Sequence, residues 1–245
     1  MEKHVKPLLQ DNADSQLMGI LVAIFAIIVT LVLFAIWRRR KSLGHNIIFT
    51  GLSDSGKTLI YVRLLSSKYV QTHTSVKENI GSIIVNNKSL RIVDIPGEER
   101  LRYKFFEKYK SSAKGIVYVI DSVTFQKNIR DVAEYLYNML SNLDGHKSLP
   151  VLVLCNKQDQ TMAKGCSVIK SLLEKELNLL RLTKTNQLET TDASTVYAFL
   201  GKPGKTFEFD HLNLKVEFAE SSAFVKDPET PAQIEELEAW LQKVA

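Results

Sequence analysis

Beyond residue 44, short apolar runs alternate with segments in which apolar residues recur every three or four positions. Such runs are typical of buried strands, and the recurring pattern is typical of amphipathic helices. Strands are predicted at 45–50, 80–85, 89–93, 115–121, 150–155 and 212–218. Helices are predicted at 57–67, 98–112, 126–141, 168–180 and 230–244. The alternation predicts an α/β fold built on a doubly wound, mostly parallel sheet of six strands.

One predicted pair of strands departs from the parallel arrangement. Asn86 and Asn87 separate the segments 80–85 and 89–93. A pair of asparagines suits a tight hairpin turn, and a hairpin joins antiparallel strands. We therefore expect an antiparallel hairpin at one edge of the sheet.

Residues 183–210 break the rhythm of strands and helices. The segment is rich in threonine, serine, asparagine and glycine, and it is too long for an ordinary connection. We predict an inserted loop here. It is either a mobile surface loop or an insertion that binds a partner, and the sequence leaves both interpretations open.

Residues 17–37 form a continuous apolar run without a charged residue. As a helix, such a run would span roughly 30 Å, which is the thickness of the hydrocarbon core of a bilayer. A cleaved signal peptide is disfavoured, because the run is longer than a typical signal core and no small-residue cleavage site follows it. We predict a transmembrane helix at 17–37, preceded by a short lumenal tail at 1–16.

Basic residues follow this helix directly and predict its orientation. Residues 38–41, all arginine or lysine, lie in a basic juxtamembrane linker at 38–44. The positive-inside rule places the residues that follow in the cytosol, and the basic charges can also contact anionic lipid. The remainder of the chain, 45–245, is predicted to form one cytosolic domain.

Charge and cysteine content narrow the class of protein further. The net charge is +5, but the cluster at 38–41 carries most of it and the rest of the chain is close to neutral. The cytosolic domain therefore offers no reason to expect direct nucleic-acid binding. The two cysteines, Cys155 and Cys166, cannot form a disulfide framework, which fits a reducing cytosol.

The first candidate site directly follows the strand at 45–50. The GxxxxGK[ST] pattern is formed by Gly51, Leu52, Ser53, Asp54, Ser55, Gly56, Lys57 and Thr58. The strand before it and the helix after it are the context of a phosphate-binding P-loop, in which backbone N–H groups and a helix N-terminus surround phosphate oxygens. In this interpretation Lys57 reaches the β- and γ-phosphates, and the Thr58 hydroxyl ligates Mg²⁺.

A second motif, Asp-Ile-Pro-Gly at 94–97, supplies a carboxylate to the same site. It follows a predicted strand, and ligands bind where the carboxyl ends of parallel strands meet. Asp94 would hold Mg²⁺ through water. The Gly97 backbone N–H would donate to the γ-phosphate.

The segment QTHTSV at 71–76 offers a further Mg²⁺ ligand. Thr72, Thr74 and Ser75 each carry a hydroxyl that could bind the ion. We favour Thr74 and leave the other two as alternatives.

The identity of the base is predicted by a third motif, Asn-Lys-Gln-Asp at 156–159. The Asp159 carboxylate can accept hydrogen bonds from N1–H and the exocyclic amine of guanine. Adenine lacks this pair of donors and would leave a buried Asp159 charged and unpaired. Asn156 would tie the loop to the P-loop, and the Lys157 side chain would cover the base. The motif therefore predicts a guanine nucleotide.

The fourth motif, Glu-Ser-Ser-Ala at 220–223, can contact the guanine oxygen through the backbone of Ser222 and Ala223. Four motifs in this order, each at the end of a strand, resemble those of P-loop small GTPases of the Ras and Arf class. Within that class, the chain resembles the family of signal recognition particle receptor β subunits. This resemblance is carried by the P-loop, by DIPGEERLR at 94–102, by LKVEFAESSA at 214–223, and by the N-terminal apolar run and the insertion.

The resemblance implies a single-pass protein of the endoplasmic reticulum membrane that binds GTP or GDP with Mg²⁺. It also implies that the GTP form binds the N-terminal domain of the receptor's α subunit and tethers it for co-translational protein targeting. The ribosome and the translocon are further candidate partners. The alternative is a multiple-turnover GTPase of vesicle traffic, similar to Arf or Sar proteins.

One position departs from the pattern of small GTPases. Many of them carry glutamine close after the glycine that corresponds to Gly97, where it orients the attacking water, but this chain has Glu98. The γ-phosphate would repel this carboxylate, and the segment 71–76 has no arginine that could act as an internal finger. With Glu98 and Gly97 as the candidate catalytic residues, we expect slow intrinsic hydrolysis. Alternatively, Glu98 faces solvent and hydrolysis depends on a partner.

Overall fold

The computed structural model describes residues 20–34, 44–66, 69–143, 149–189, 200–224 and 232–245. The chain divides into two units, one that ends at Leu43 and a second that runs from Gly44 to Ala245. In the first unit, residues 20–34 form a helix, α1, whose side chains are exposed. Among the residues covered by these ranges, no helix is both long and apolar enough to cross a membrane.

The predicted membrane segment is only partly covered by these ranges. Residues 17–19 and 35–37, the tail at 1–16 and all but the last residue of the linker at 38–44 lie outside the described residues. The transmembrane assignment therefore stays a prediction.

The second unit is built on one sheet. Its strands, within the described ranges, are β1 (Asn46–Thr50), β2 (Asn79–Val85), β3 (Lys88–Asp94), β4 (Ala113–Asp121), β5 (Val151–Asn156) and β6 (Val216–Glu220). They form a six-stranded sheet in the order β2-β3-β1-β4-β5-β6. Every neighbouring pair is parallel except β2 and β3, which are antiparallel. The predicted mostly parallel sheet with an antiparallel hairpin at its edge is confirmed.

The hairpin turn has the geometry that its sequence predicts. Asn86 and Asn87 adopt φ angles of 51° and 59°. Val85 pairs directly with Lys88 across the turn. Positive φ at both central residues matches the twist of the two strands, and asparagine tolerates it better than most residues.

Helices cover both faces of the sheet. They are α2 (Lys57–Ser66), α3 (Glu99–Lys110), α4 (Ile129–Leu143), α5 (Cys166–Glu189) and α6 (Glu235–Val244), with a short 3₁₀ turn at Phe209–His211. Phe106, Leu136 and Leu173 place α3, α4 and α5 in one apolar cluster against the sheet. Ile60 and Trp240 place α2 and α6 in a second cluster on the opposite face. This is the predicted doubly wound arrangement.

The parallel strands determine where a ligand can bind. The strands β1, β3, β4, β5 and β6 run in the same direction, and they end at Thr50, Asp94, Asp121, Asn156 and Glu220. All of the loops that carry the four motifs therefore leave the sheet at its carboxyl edge, where ligands bind in open α/β sheets.

The largest departure from the sequence prediction is at α5. This helix continues to Glu189, so residues 183–189 are helical where we predicted an irregular loop. Ile169, Leu173 and Leu177 form a buried row along it. The next position in that row is Arg181, and it is also buried, with 4% of its surface exposed. In the sequence, the charged Arg181 interrupts the apolar pattern, so the predicted helix ends before it. In the structure, Arg181 lies on the buried face and the helix continues beyond it.

The described part of the predicted insertion packs against this helix. Leu200, Phe207 and Phe209 are buried in the same apolar cluster as α4 and α5. These residues belong to the core rather than to a loop on the surface. Two further boundaries are shifted, since β6 begins at Val216 and α6 at Glu235, while residues 230–231 lie outside the described ranges.

Arg181 connects α5 to residues 200–205, which pack against this helix. Its Nη1 donates to the carbonyl oxygens of Leu200 and Lys202, each at 3.4 Å. Its Nη2 donates to the Lys205 carbonyl oxygen and, at 2.6 Å, to Asn178 Oδ1. The planar fork of a guanidinium can serve several acceptors at once, and an ammonium group cannot match that geometry.

We expect Arg181→Lys to loosen residues 200–207 without changing nucleotide affinity. Losing one or two hydrogen bonds lowers the free energy of local opening by about 1–2 kcal/mol, which speeds amide hydrogen exchange by roughly tenfold. The Phe207 amide, which donates to Asn178 Oδ1 at 3.2 Å, is the reporter. Arg130→Lys is the control because the Arg130 side chain is 89% exposed. Unchanged exchange at Phe207 would argue against this role.

Candidate functional site

A cavity of about 550 Å³ opens at the carboxyl edge of the sheet. The predicted site residues that line it are Ser53, Asp54, Gly56, Lys57, Thr58, Thr74, Gly97, Asn156, Lys157 and Asp159. The other predicted residues do not line it; they are Gly51, Leu52, Ser55, Asp94, Glu98, Ser222 and Ala223. The cavity has the size of ordinary small-molecule sites. Residues from three of the four motifs therefore converge on one space.

The P-loop has the backbone conformation that close approach to a ligand requires. Gly51, Asp54 and Gly56 adopt φ angles of 140°, 60° and 90°. A Cβ atom at Gly56 would lie 2.3 Å from Nδ2 of Asn156, so only glycine fits there. The loop leads directly into α2 at Lys57, whose helix N-terminus presents free N–H groups and the positive end of the helix dipole.

Lys57 lies at the floor of this loop with 5% of its surface exposed. Its Nζ donates to the Leu52 carbonyl oxygen at 2.6 Å and lies 3.4 Å from Ser55 Oγ. Burial lowers the pKa of Lys57 to about 8, although the nearby Asp94 and Asp54 oppose the shift. An oxyanion beside Nζ would favour the charged form of this lysine. The P-loop therefore fits a phosphate group.

Asp94 has the features of a cation site. Its Oδ2 accepts hydrogen bonds from Thr58 Oγ1 at 2.8 Å and from Asn79 Nδ2 at 2.9 Å. Burial raises the pKa of Asp94, while these two hydrogen bonds and the charge of Lys57 oppose the rise. Its Oδ1 is buried and has no hydrogen-bond partner among the described residues. A cation or its bound water would satisfy that oxygen, so the residues fit Mg²⁺.

Among the hydroxyl groups of the segment 71–76, that of Ser75 contacts Thr58 and Asn79, the two partners of Asp94. Ser75 is one of our two alternatives to Thr74. Ser75 Oγ lies 3.5 Å from Thr58 Oγ1 and accepts a hydrogen bond from Asn79 Nδ2 at 3.3 Å. Thr74 lines the cavity and is exposed. We therefore now favour Ser75 over Thr74 as the metal-binding hydroxyl.

The loop at Gly97 lies directly against the P-loop. A Cβ atom at Gly97 would lie 2.6 Å from the backbone nitrogen of Ser53, so a larger residue would push the two loops apart. The neighbouring Glu98 is exposed and lines a second cavity of about 400 Å³, together with Glu99 and Arg102. Of our two interpretations of Glu98, this conformation matches the one in which it faces solvent.

Asn156 joins three of the motifs. Its Nδ2 donates to the Ser55 carbonyl oxygen at 2.9 Å, which is the predicted link to the P-loop. Its Oδ1 accepts from Ser221 Oγ at 3.2 Å and from the Ala223 amide at 3.3 Å. The side chain is buried, so these bonds are shielded from water. Asn156 therefore holds the phosphate loop and the base loops in one arrangement.

Lys157 and Asp159 lie at the mouth of the cavity. Lys157 adopts a φ of 68°, and its Nζ pairs with Asp121 Oδ2 at 2.7 Å. Burial by itself would raise the pKa of Asp121. Hydrogen bonds, chiefly the one from Lys157, outweigh that effect and lower the pKa below its ordinary value. Asp159 accepts from Ser222 Oγ at 2.8 Å and from Gln160 Nε2 at 2.6 Å.

Our prediction that Asp159 is buried is wrong for the chain without a bound nucleotide. The residue is exposed, because it lies in the turn after β5 at the rim of the cavity. Its two partners nevertheless orient the carboxylate, and a planar base in the cavity would cover it. The role of Asp159 in selecting the base remains a prediction.

Three residues of the site had no place in our sequence motifs. Asn79 positions Asp94, Asp121 positions Lys157, and Phe224 lines the cavity beside Asp159. Asp121 ends a predicted strand and Phe224 directly follows the fourth motif, so both carried a positional signal. No local sequence signal marked Asn79. Its hydrogen bond to Asp94 depends on the antiparallel pairing of β2 with β3, which places the two residues opposite each other.

Known proteins of one family resemble the chain. Residues 42–216 match the family described as signal recognition particle receptor beta subunit. The human signal recognition particle receptor subunit beta is 46% identical over 240 residues, which cover 96% of this chain and 89% of the human protein.

Solved structures resemble it as well. The structure of the mammalian SRP receptor aligns with a TM-score of 0.72 and 44% identity, covering 82% of this chain and 100% of that chain. The SRb-GTP/SRX complex from Chaetomium thermophilum aligns with a TM-score of 0.67 and 20% identity, covering 81% of this chain and 99% of that chain. At that level of identity, the second likeness shows the fold alone.

Proposed function

Because the chain belongs to the family of signal recognition particle receptor β subunits, small GTPases related to Arf, we propose that it tethers the receptor's α subunit in a GTP-dependent way. The observation that carries this proposal is the convergence of the P-loop, Gly97 and Asp159 on one cavity, where the lining residue Thr58 donates a hydrogen bond to Asp94 behind it. Fold likeness alone would not support a function, but residues of three motifs that meet at one cavity do support it.

We assign the residues of this cavity to the parts of a guanine nucleotide. The P-loop from Gly51 to Thr58 and the Gly97 N–H would bind the phosphates. Thr58 and Ser75 would ligate Mg²⁺, with Asp94 acting through water. Asn156, Lys157, Asp159, Ser222 and Ala223 would hold the base. Bound Mg²⁺ would neutralise charge on the β- and γ-phosphates.

Two segments, 71–76 and the loop that begins at Gly97, are placed to respond to the γ-phosphate, and we call them the switch segments. Ser75 lies next to Thr58, and Gly97 lies against Ser53, so each segment contacts the P-loop. Contacts to a γ-phosphate would stabilise one conformation of both segments, and a partner that prefers that conformation would bind the GTP form. In Chaetomium thermophilum, a protein of the same fold forms an SRb-GTP/SRX complex.

The membrane anchor is part of the same proposal. We propose that residues 17–37 span the membrane of the endoplasmic reticulum once, with residues 1–16 in the lumen and 45–245 in the cytosol. The uncharged apolar run and the basic cluster at 38–41 support this orientation.

The direct test is retention of the α-subunit N-terminal domain on liposomes that carry the full chain. We expect retention with a non-hydrolysable GTP analogue and little or none with GDP. Equal retention in the two states would contradict GTP-dependent tethering. Rapid multiple-turnover hydrolysis without the α subunit would instead favour the alternative, an Arf- or Sar-like GTPase.

We expect Glu98→Gln to speed single-turnover GTP hydrolysis. Glu98 directly follows Gly97 but faces solvent. When GTP is bound, a neutral glutamine can turn toward the γ-phosphate, which repels a carboxylate, and can orient the attacking water. A gain of about 1–2 kcal/mol corresponds to roughly 5- to 30-fold in rate. Glu99→Gln is the matched control because Glu99 also lines the second cavity. An unchanged rate in Glu98→Gln would argue against a catalytic role for this position.

A further inference from the structure

Phe224 is a large apolar ring on the wall of the cavity. It directly follows the fourth motif, and 39% of its surface is exposed. It lines the cavity together with Lys157 and Asp159, which are two of the residues assigned to the base. An aromatic side chain in such a place is suited to a flat ligand group.

The backbone before Phe224 is fixed from two sides. The Ala223 amide donates to Asn156 Oδ1 at 3.3 Å, and the Ala223 carbonyl oxygen accepts from Arg63 Nε at 3.2 Å. Ser222 Oγ lies 2.8 Å from Asp159 Oδ1 and 3.0 Å from the Phe224 carbonyl oxygen. The position of Phe224 is therefore tied to the carboxylate that would read the edge of the base.

The ring itself is supported by a second aromatic residue. Tyr69 meets Phe224 edge to face, with ring centroids 5.6 Å apart and an interplanar angle of 79°. The guanidinium carbon of Arg63 lies 5.6 Å from the centroid of Tyr69. The side chains of Arg63, Tyr69 and Phe224 thus form a row of contacts that leads from α2 to the cavity.

We propose that Phe224 stacks on the face of the guanine base. This inference rests on the proposed function, since it concerns the same bound nucleotide. Asp159 can recognise only the edge of the base. The Lys157 side chain, which we assigned to cover the base, can cover one of its two faces, and an aromatic ring is suited to cover a face as well. Stacking is insensitive to which base is present, so Phe224 supplies affinity and Asp159 supplies selectivity.

The test is nucleotide affinity of the full chain in mild detergent, measured by calorimetry. We expect Phe224→Ala to bind GDP and GTP about 5- to 150-fold more weakly, by the same factor for both. Phe224→Leu, which keeps an apolar side chain, should lose part of the affinity, and Phe224→Tyr should keep it. Inorganic tripolyphosphate, which has no base, should bind the wild-type chain and Phe224→Ala equally.

Phe224→Trp gives an independent readout. The wild-type chain has two tryptophans, Trp37 and Trp240, and the latter is buried. Adding GDP should quench the fluorescence of Phe224→Trp well beyond that of the wild-type chain, because a stacked guanine contacts the new indole directly.

The outcomes separate the stacking from the proposed function. Wild-type affinity for GDP in both Phe224→Ala and Phe224→Leu would overturn the stacking and leave guanine-nucleotide binding intact. An equal loss of affinity for tripolyphosphate would also overturn it, because the damage would not be confined to the base. A wild-type chain that binds no guanine nucleotide would overturn both. Should Phe224→Ala melt at a lower temperature, Phe224→Leu decides the question.

Discussion

Asp159→Asn should convert the chain from a guanine-nucleotide binder to a xanthine-nucleotide binder. The carboxylate of Asp159 can accept two hydrogen bonds from guanine, whereas an amide presents one acceptor and one donor, which match xanthine. Loss of one charge-assisted hydrogen bond costs about 1.5–3 kcal/mol, so GTP affinity should fall roughly 10- to 150-fold. Competition of XTP and GTP for the full chain measures the change.

A matched substitution tests whether the effect is local. Asp210→Asn also replaces a carboxylate by an amide, but Asp210 is exposed in the 3₁₀ turn and does not line the cavity. It should leave the affinity for both nucleotides unchanged. Unchanged GTP affinity in Asp159→Asn would remove the basis for assigning this loop to the base.

Lys57→Met should greatly weaken binding of nucleotide phosphates while preserving the fold. Methionine keeps the length of the side chain and removes its charge, so we expect GTP affinity to fall on the order of 1000-fold, the scale of a lost charge-assisted contact in a dry site. The nucleotide-free chain should be no less stable, because a buried apolar side chain avoids the desolvation that burial of a lysine requires.

These opposite expectations distinguish a ligand-binding lysine from a structural one. Calorimetric affinity for GTP and the melting temperature of the nucleotide-free chain are the two measurements. Lys127→Met, at an exposed position outside the cavity, is the control and should change neither. A lower melting temperature with preserved GTP affinity in Lys57→Met would identify the lysine as structural.

Much of the fold was predictable because its signals are local. Asn86 and Asn87 specify the hairpin through the φ angles that they tolerate. The apolar runs at 115–120 in β4 and 151–155 in β5 are typical of strands covered on both faces. Parallel strands end at the same edge of the sheet, so the motifs that follow them lie close together there. The cavity lies at that edge.

The features that were missed depend on contacts between distant residues. Arg181 ends an apolar pattern in the sequence, yet α5 continues past it, and carbonyl oxygens from residues 200–205 accept hydrogen bonds from its Nη1 and Nη2. The choice of Ser75 over Thr74 depends on where Asn79 and Thr58 lie. A residue type alone carries none of this information.

Equilibrium binding of GTP to the full chain in mild detergent with Mg²⁺ is the most direct measurement of the central claim. We expect one GTP per chain, displaced by GDP and unaffected by a large excess of ATP. A chain that unfolds cooperatively on heating, and is therefore folded, yet binds neither GTP nor GDP would contradict the proposal that this cavity holds a guanine nucleotide.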